Sequence, residues 1–425
     1  MRECRRQQNP PQMKYFVNMS SIVIFFFIGT FTCMRRMLSL SISVFFLLAV
    51  PLRAQSIEAQ VLSYQNSFAR ANLDTKFELV KDAAKSQQVE ICQFFLTALD
   101  YVDSVYEFLP TDETLLQLAR YTVTQIGNRG YTAGLLKMRL LFLRIQEESF
   151  QEACIRAFQN LKPTDTAFIS ELNGQFEALF YKSISGQAYS PSLLKAYAEC
   201  LGSIGNRNSF QVLFKSLLQS NDESYKKTCT EAISKIKVDI FEELVTILEK
   251  RDIFSSWTAF EIAQGSSTIS EYELAQITAL SLSVALDTSN IQSQLGTQLI
   301  FKAIHLLTVH KWQHCTDLVV QYFHRLQTDF RRGNAHAMDL VTVINCMAVL
   351  RSKTSSNSLV VFLGLLNSDT EKGSAYNEQV VLAVIKALGE LGDNNAFDYL
   401  VYVDYLNYSE RIKQAARDSI ARLKW

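Results

Sequence analysis

Residues Glu378 to Leu423 read EQVVLAVIKALGELGDNNAFDYLVYVDYLNYSERIKQAARDSIARL, and this stretch decides the fold. Its residues Val380, Ala383, Val384, Ala387, Leu388 and Leu391 recur at intervals of three and four, the stripe of an amphipathic α-helix. Gly389 and Gly392 bracket the end of that helix, and Asp393-Asn394-Asn395 supplies a polar turn. A second apolar helix is predicted from Ala396 to Leu406. After Ser409-Glu410 a third begins, carrying Arg411, Ile412, Lys413, Ala415, Ala416, Ile420 and Leu423.

The same arrangement recurs upstream. IGNRNSFQVLFKSLL from Ile204, IGNRGYTAGLLKMRLLF from Ile126 and LRSKTSSNSLVVFLGLL from Leu350 all align with the chain from Leu391, and weaker counterparts begin at Leu161 and Leu307. Ile126 to Ile204 spans 78 residues, two units of about 39; Leu307 to Leu350 spans 43 and Leu350 to Leu391 spans 41. A period near 40 with two helices per unit predicts an all-α fold, an α-solenoid of helical hairpins. Helix starts are predicted behind Thr111, Ser190 and Asn221, where a side-chain acceptor precedes an acidic residue or proline. The pattern lapses at 251–273, which contains GSSTIS behind an aromatic segment around Phe254 and Trp257. This stretch reads as an irregular repeat or as a joint between two halves, within one repeat domain over 55–425.

ALGELGDNNAFDYLVYV followed by ERIKQAARDSIARL is similar to a HEAT repeat. In that family the first helix ends L-G-x-L-G-D, a second apolar helix follows, and the next helix opens near V-R-x-A-A. Ile412 to Ala416 stand in that last place, with Lys413 where Arg is usual. The turns at Leu161 and Leu307 lack the Gly-Asp pair, and armadillo or TPR-like stacks are the rival folds. The resemblance implies hairpins that bury their apolar faces only by stacking, second helices lining an inner face, and binding of other macromolecules as the usual role.

The composition agrees. A chain of 425 residues with 48% hydrophobic residues, 15 Gly and 6 Pro has the apolar material for a large core and few helix breakers. Of its 42 basic and 42 acidic residues, 7 and 1 lie in residues 1–54; this leaves 35 and 41 on the remainder, a net charge of −6. A mildly acidic body lacks the basic footprint of a nucleic-acid binder, so no nucleic-acid partner is expected.

Residues 1–54 read as a targeting segment. Two apolar runs, Ser21 to Cys33 and Leu38 to Leu52, flank Arg35 and Arg36, and each is shorter than a membrane span needs. Residues 34–54 alone have the parts of a secretory signal: basic Met34-Arg35-Arg36, an apolar run, and small Ala54. Translation from Met34 or Met37 with cleavage after Ala54 is one expectation, giving a chain that starts at Gln55. The other is an uncleaved single-pass anchor, with membrane contact through this segment only. Both place the body in an exported compartment, the bacterial periplasm. Of the cysteines, Cys92, Cys154, Cys200, Cys229, Cys315 and Cys346 follow the signal, lie in no CxxC pair and sit among apolar helical residues. Buried free thiols are expected, and the 15 pairings open to six cysteines stay open.

Motifs for catalysis are missing: GxxxxGK[ST], GxGxxG, GxSxG and HExxH do not occur. The acid pairs Glu147-Glu148 and Glu242-Glu243 point about 100° apart on a helix and read as solvated surface. All five histidines, His305, His310, His314, His324 and His336, fall in one window. His310 and His314 at i and i+4 would suit a metal on a continuous helix, but HKWQHC falls at a turn and carries Lys311. No His is followed by Glu, the ligand dipeptide of HEAT-like hydroxylases, and HEAT-like DNA glycosylases need a basic face. No catalytic, cofactor or metal residue is therefore assigned, and a protein partner is expected. A HEAT-like enzyme or metal-binding protein using His305–His336 is the alternative.

Partner contact is expected at Tyr402, Tyr405 and Tyr408. Tyrosines three apart on a helix step back by 60°, so Tyr399, Tyr402, Tyr405 and Tyr408 cannot share one face. With Leu400, Val401 and Tyr399 turned inward, the other three drift outward, and exposed tyrosines are enriched at interfaces. The rival reading packs the rings against the last helix and Trp425.

Overall fold

The structure is a computed structural model that describes residues 57–424. The targeting segment expected at 1–54, Ala54 and Trp425 lie outside the described residues. Among those, 20 helices and short 3-10 turns occur without a named strand, and no helix is long and apolar enough to cross a membrane. The fold is an all-α solenoid in two compact units, Met1–Ile145 and Gln146–Trp425.

The described part of the first unit holds α1 (57–70), α2 (Leu73–Ala83), α3 (Cys92–Ser104), α4 (Glu113–Asn128) and α5 (Leu135–Arg144). Phe68, Phe94, Phe95, Leu118, Val123 and Phe142 form its core. Lys76 is buried among them. Its ammonium donates to the Ala71 carbonyl and lies 5.1 Å and 4.8 Å from the ring centres of Phe68 and Tyr101. Arg129, just past α4, donates from Nη2 to the carbonyls of Ala84 (2.7 Å) and Ser86 (2.8 Å), satisfying the end of α2.

The second unit is a run of hairpins. Their first helices are α6 (Glu148–Leu161), α8 (Pro191–Ile204), α10 (Glu223–Ser234), α12 (Ile253–Gly265), α14 (Gln294–His310), α16 (Ala337–Leu350), α18 (Glu378–Leu391) and α20 (Glu410–Ile420). Their second helices are α7 (Thr166–Ile184), α9 (Arg207–Gln219), α11 (Phe241–Glu249), α13 (Glu271–Ala285), α15 (Thr316–Arg331), α17 (Lys353–Glu371) and α19 (Phe397–Tyr402). First helices begin at intervals of 30 residues (Glu223 to Ile253) to 43 residues (Glu148 to Pro191). Consecutive first helices pack side by side, as α6, α8 and α10 do, and a second helix packs on the first helix of the next hairpin, as α15 does on α16.

The recurring turn has a physical cause. α6, α8, α14, α16 and α18 each hand over to one left-handed residue: Lys162, Gly205, Lys311, Arg351 and Gly392, with φ of 49, 70, 59, 50 and 70°. Glycine takes this conformation without a Cβ clash, whereas lysine and arginine strain it. In LGSIG and LGELG the earlier glycine serves packing. A Cβ on Gly202 would lie 2.4 Å from the Ala232 carbonyl oxygen on α10, and one on Gly389 would lie 2.7 Å from Ser419 Oγ on α20. The motif thus encodes close approach of the next hairpin and then reversal of the chain.

Two caps fall one residue later than expected. Asp112, not Thr111, accepts from Leu115 N, and Asp222, not Asn221, accepts from Ser224 N and Tyr225 N. Ser190 caps α8. In 251–273 lie Arg251 at φ 56°, α12, a loop over 266–270, and the start of α13, whose Ser270 and Glu273 form a capping box.

Candidate partner-binding surface

The last second-layer helices bring the tyrosines to the surface unequally. α19 stops at Tyr402; Val403–Tyr405 continues as a 3-10 turn, and Leu406 is extended (φ −94°, ψ 165°). Tyr405 is 79% exposed and Tyr402 40%. Tyr402 donates its hydroxyl to Glu371 Oε1 at the end of α17 (2.8 Å), and that hydrogen bond raises its phenol pKa above the ordinary value.

Tyr408 is a correction. It is 6% exposed, donates to Asn367 Oδ1 at 3.2 Å and meets the Tyr376 ring edge-on at 4.9 Å. The extended backbone at Leu406 cancels the helical projection that placed it outside. Leu400 is fully buried, Val401 half-buried, and Tyr399 stays 40% exposed instead of turning inward. The Tyr399 ring lies on the backbone of α17, where a Cβ at Gly364 would come within 2.8 Å of Cε1. Asn367 Nδ2 donates to the Tyr399 carbonyl at 3.0 Å, so one buried amide ties Tyr399 and Tyr408 to α17. Val361, one turn before Gly364, is 60% exposed.

Val361, Tyr399, Tyr402 and Tyr405 therefore give α17 and α19 a surface of apolar area with hydroxyl tips. The sequence reading missed Val361 and Gly364; a glycine inside the apolar helical run VVFLGLL was the available signal. Beside the tyrosines, Arg417 holds Asp404 with two bonds, Nη2–Oδ1 at 2.9 Å and Nε–Oδ2 at 3.2 Å.

The histidines go separate ways. α14 ends at His310, whose Nδ1 lies 3.2 Å from Glu271 Oε1 and whose ring stacks on Trp312 at 4.4 Å. His314, beyond the turn, donates from Nε2 to the Ala275 carbonyl at 3.0 Å. His324 Nε2 is 3.2 Å from Ser358 Oγ, His305 is exposed, and His336 precedes α16. The break at Lys311 removes the i, i+4 relation. Among the described residues no three His, Cys, Asp or Glu groups are placed to hold one metal ion.

Of the acid pairs, Glu147 accepts from Phe150 N as the cap of α6. Glu243, expected in solvent, is instead 9% exposed, and its Oε1 is 2.8 Å from Arg207 Nε. All six described cysteines are free and buried.

No protein-family model matches this chain, and no curated protein matches it in sequence.

Proposed function

We propose that this protein is an exported, non-enzymatic scaffold of the HEAT-repeat type that binds a protein partner through the α17–α19 surface. The exposed ring of Tyr405 carries the reading. A side chain of that size, 79% exposed one turn past Tyr402, offers the rigid apolar area with a polar tip that interface anchors use. The resemblance of LGELGD and IKQAA to HEAT motifs supports the class, and the apolar run behind Met34-Arg35-Arg36 supports export to the periplasm, by a cleaved signal or on a single-pass anchor.

Partner recovery tests it. Cells exporting the chain are cross-linked mildly, and recovery is compared between the parent and a Tyr402→Ser, Tyr405→Ser variant. Loss of one prominent protein at unchanged melting temperature supports the surface. Equal recovery removes it, and a melting temperature lower by many degrees assigns the rings to the core.

A further inference from the structure

The first unit turns leucines outward on α5. That helix reads LLKMRLLFLR and contains no acidic residue. Met138, Leu141 and Phe142 are buried, yet Leu136 and Leu140, one turn apart on the opposite face, are 69% and 56% exposed. A helix apolar on both faces belongs where its outer face is covered as well. Lys137 and Arg144 are ion-paired with Asp100 and Asp103 of α3, so apolar contact, and not charge, draws a partner to this stripe.

Side-chain contacts fix the direction of the helices around it. α1 runs parallel to α3, since Tyr64 stacks on Phe94 at 5.3 Å and Phe68 meets Tyr101 edge-on at 5.7 Å. α5 runs parallel to α3 too, since Lys137 donates to the Leu96 carbonyl at 3.5 Å and Arg144 holds Asp103. The starts of α1, α3 and α5 therefore lie at one end of the unit. Exposed Leu62, five residues into α1, and exposed Val89, just before α3, stand at that end with Leu136. Among the described residues of this unit, Phe108 is the one exposed large apolar side chain beyond the close of α3.

That end is also where α1 begins, at residue 57. Leu52 closes the apolar run Leu38 to Leu52 and stands five residues earlier, so the chain between them reaches at most about 18 Å when extended. An anchor in residues 34–54 thus holds this end of the unit against the membrane it enters.

We infer that a lipid bilayer covers this part of the first unit, with Leu136 and Leu140 entering its interface and Leu62 and Val89 adding to the apolar end. The inference rests on the single-pass anchor reading and adds a membrane contact beyond the anchoring segment itself.

The probe is a neutral phosphatidylcholine vesicle, mixed with the full chain. Dansylalanine, an environment-sensitive fluorophore, replaces Leu136 or, as a control, Gln117 on the exposed polar face of α4. Lipid brominated along its acyl chains should quench the probe at 136 and leave the probe at 117 unchanged, while both proteins sediment with the vesicles. Leu62→Ser combined with Leu140→Ser should weaken the quenching at 136 at an unchanged melting temperature, since both side chains are exposed. Equal quenching at 136 and 117, no quenching in a chain that sediments, or quenching untouched by the two substitutions overturns the inference and leaves the anchor standing. A chain that stays in the supernatant overturns the anchor reading and the inference with it. A blue shift at 136 that grows with protein concentration and ignores the brominated lipid gives the face to a second copy and overturns the inference as well.

Discussion

The Cα of Gly202 on α8 sits so close to α10 that a Cβ there would lie 2.4 Å from the carbonyl oxygen of Ala232. Backbone carbonyls in a helix cannot yield as a flexible side chain can. Gly202→Ala should therefore destabilise the protein by about 2 kcal/mol or more, as overpacking against rigid neighbours does. Chemical denaturation measures it, and a change below about 0.5 kcal/mol would show that the helices have room to part.

Lys162, Lys311 and Arg351 occupy the left-handed position that Gly205 and Gly392 fill elsewhere. Replacing each by Gly relieves Cβ strain of about 1–2 kcal/mol and loses part of that to the freer unfolded chain. Each substitution should raise stability by roughly 0.5–1 kcal/mol, read as a higher melting temperature. A lower melting temperature in all three would contradict the role given to this turn.

Tyr225 donates to Ser216 Oγ at 3.0 Å, and Ser216 donates to the Leu213 carbonyl at 2.9 Å, in a buried chain between α9 and α10. Ser216→Ala leaves the tyrosine hydroxyl only the weakly accepting sulfur of Cys229 and should cost about 1–3 kcal/mol, whereas Tyr225→Phe removes the donor and should cost less. The reverse order would show that packing, not hydrogen bonding, dominates there.

Burial holds the six described thiols neutral, with Cys92 and Cys346 pushed up to about 11 and Cys315 to about 12. A thiol whose folded pKa exceeds its unfolded value contributes stability that is complete below about pH 9 and is lost as pH rises through the folded value. The melting temperature should hold between about pH 7 and 8.5 and fall between about 9 and 12. Cys346→Ala should flatten that fall, by up to about 1.4 kcal/mol per pH unit. An unchanged slope in that variant would mean that its thiol is not withheld from water.

The features legible in the sequence are those with local causes. α6, α8, α16 and α18 end at Leu161, Ile204, Leu350 and Leu391, the residues from which the repeat was aligned. α14 runs three residues past Leu307 to His310, because nothing breaks the helix before Lys311. α12 was obscured because its apolar residues are not confined to one face: Ser256 shares the buried stripe with Ala259, Phe260 and Ala263, while Phe254 is 44% exposed and lines a cleft of about 700 Å³ with Trp257. Tyr408 was misplaced by extending a helix past its end, and Glu243 by treating it alone, since Arg207 lies on another helix. Such long-range pairings leave no periodic trace.

The most direct test of the proposed partner surface places a photoreactive phenylalanine analogue at Tyr405 in the full chain and, as a control, at Tyr272, which is 74% exposed on α13. On irradiation in cells, the account expects a discrete adduct with one other protein from position 405 and none from 272. No adduct at 405, or the same adducts from both positions, in chains of normal melting temperature would contradict it.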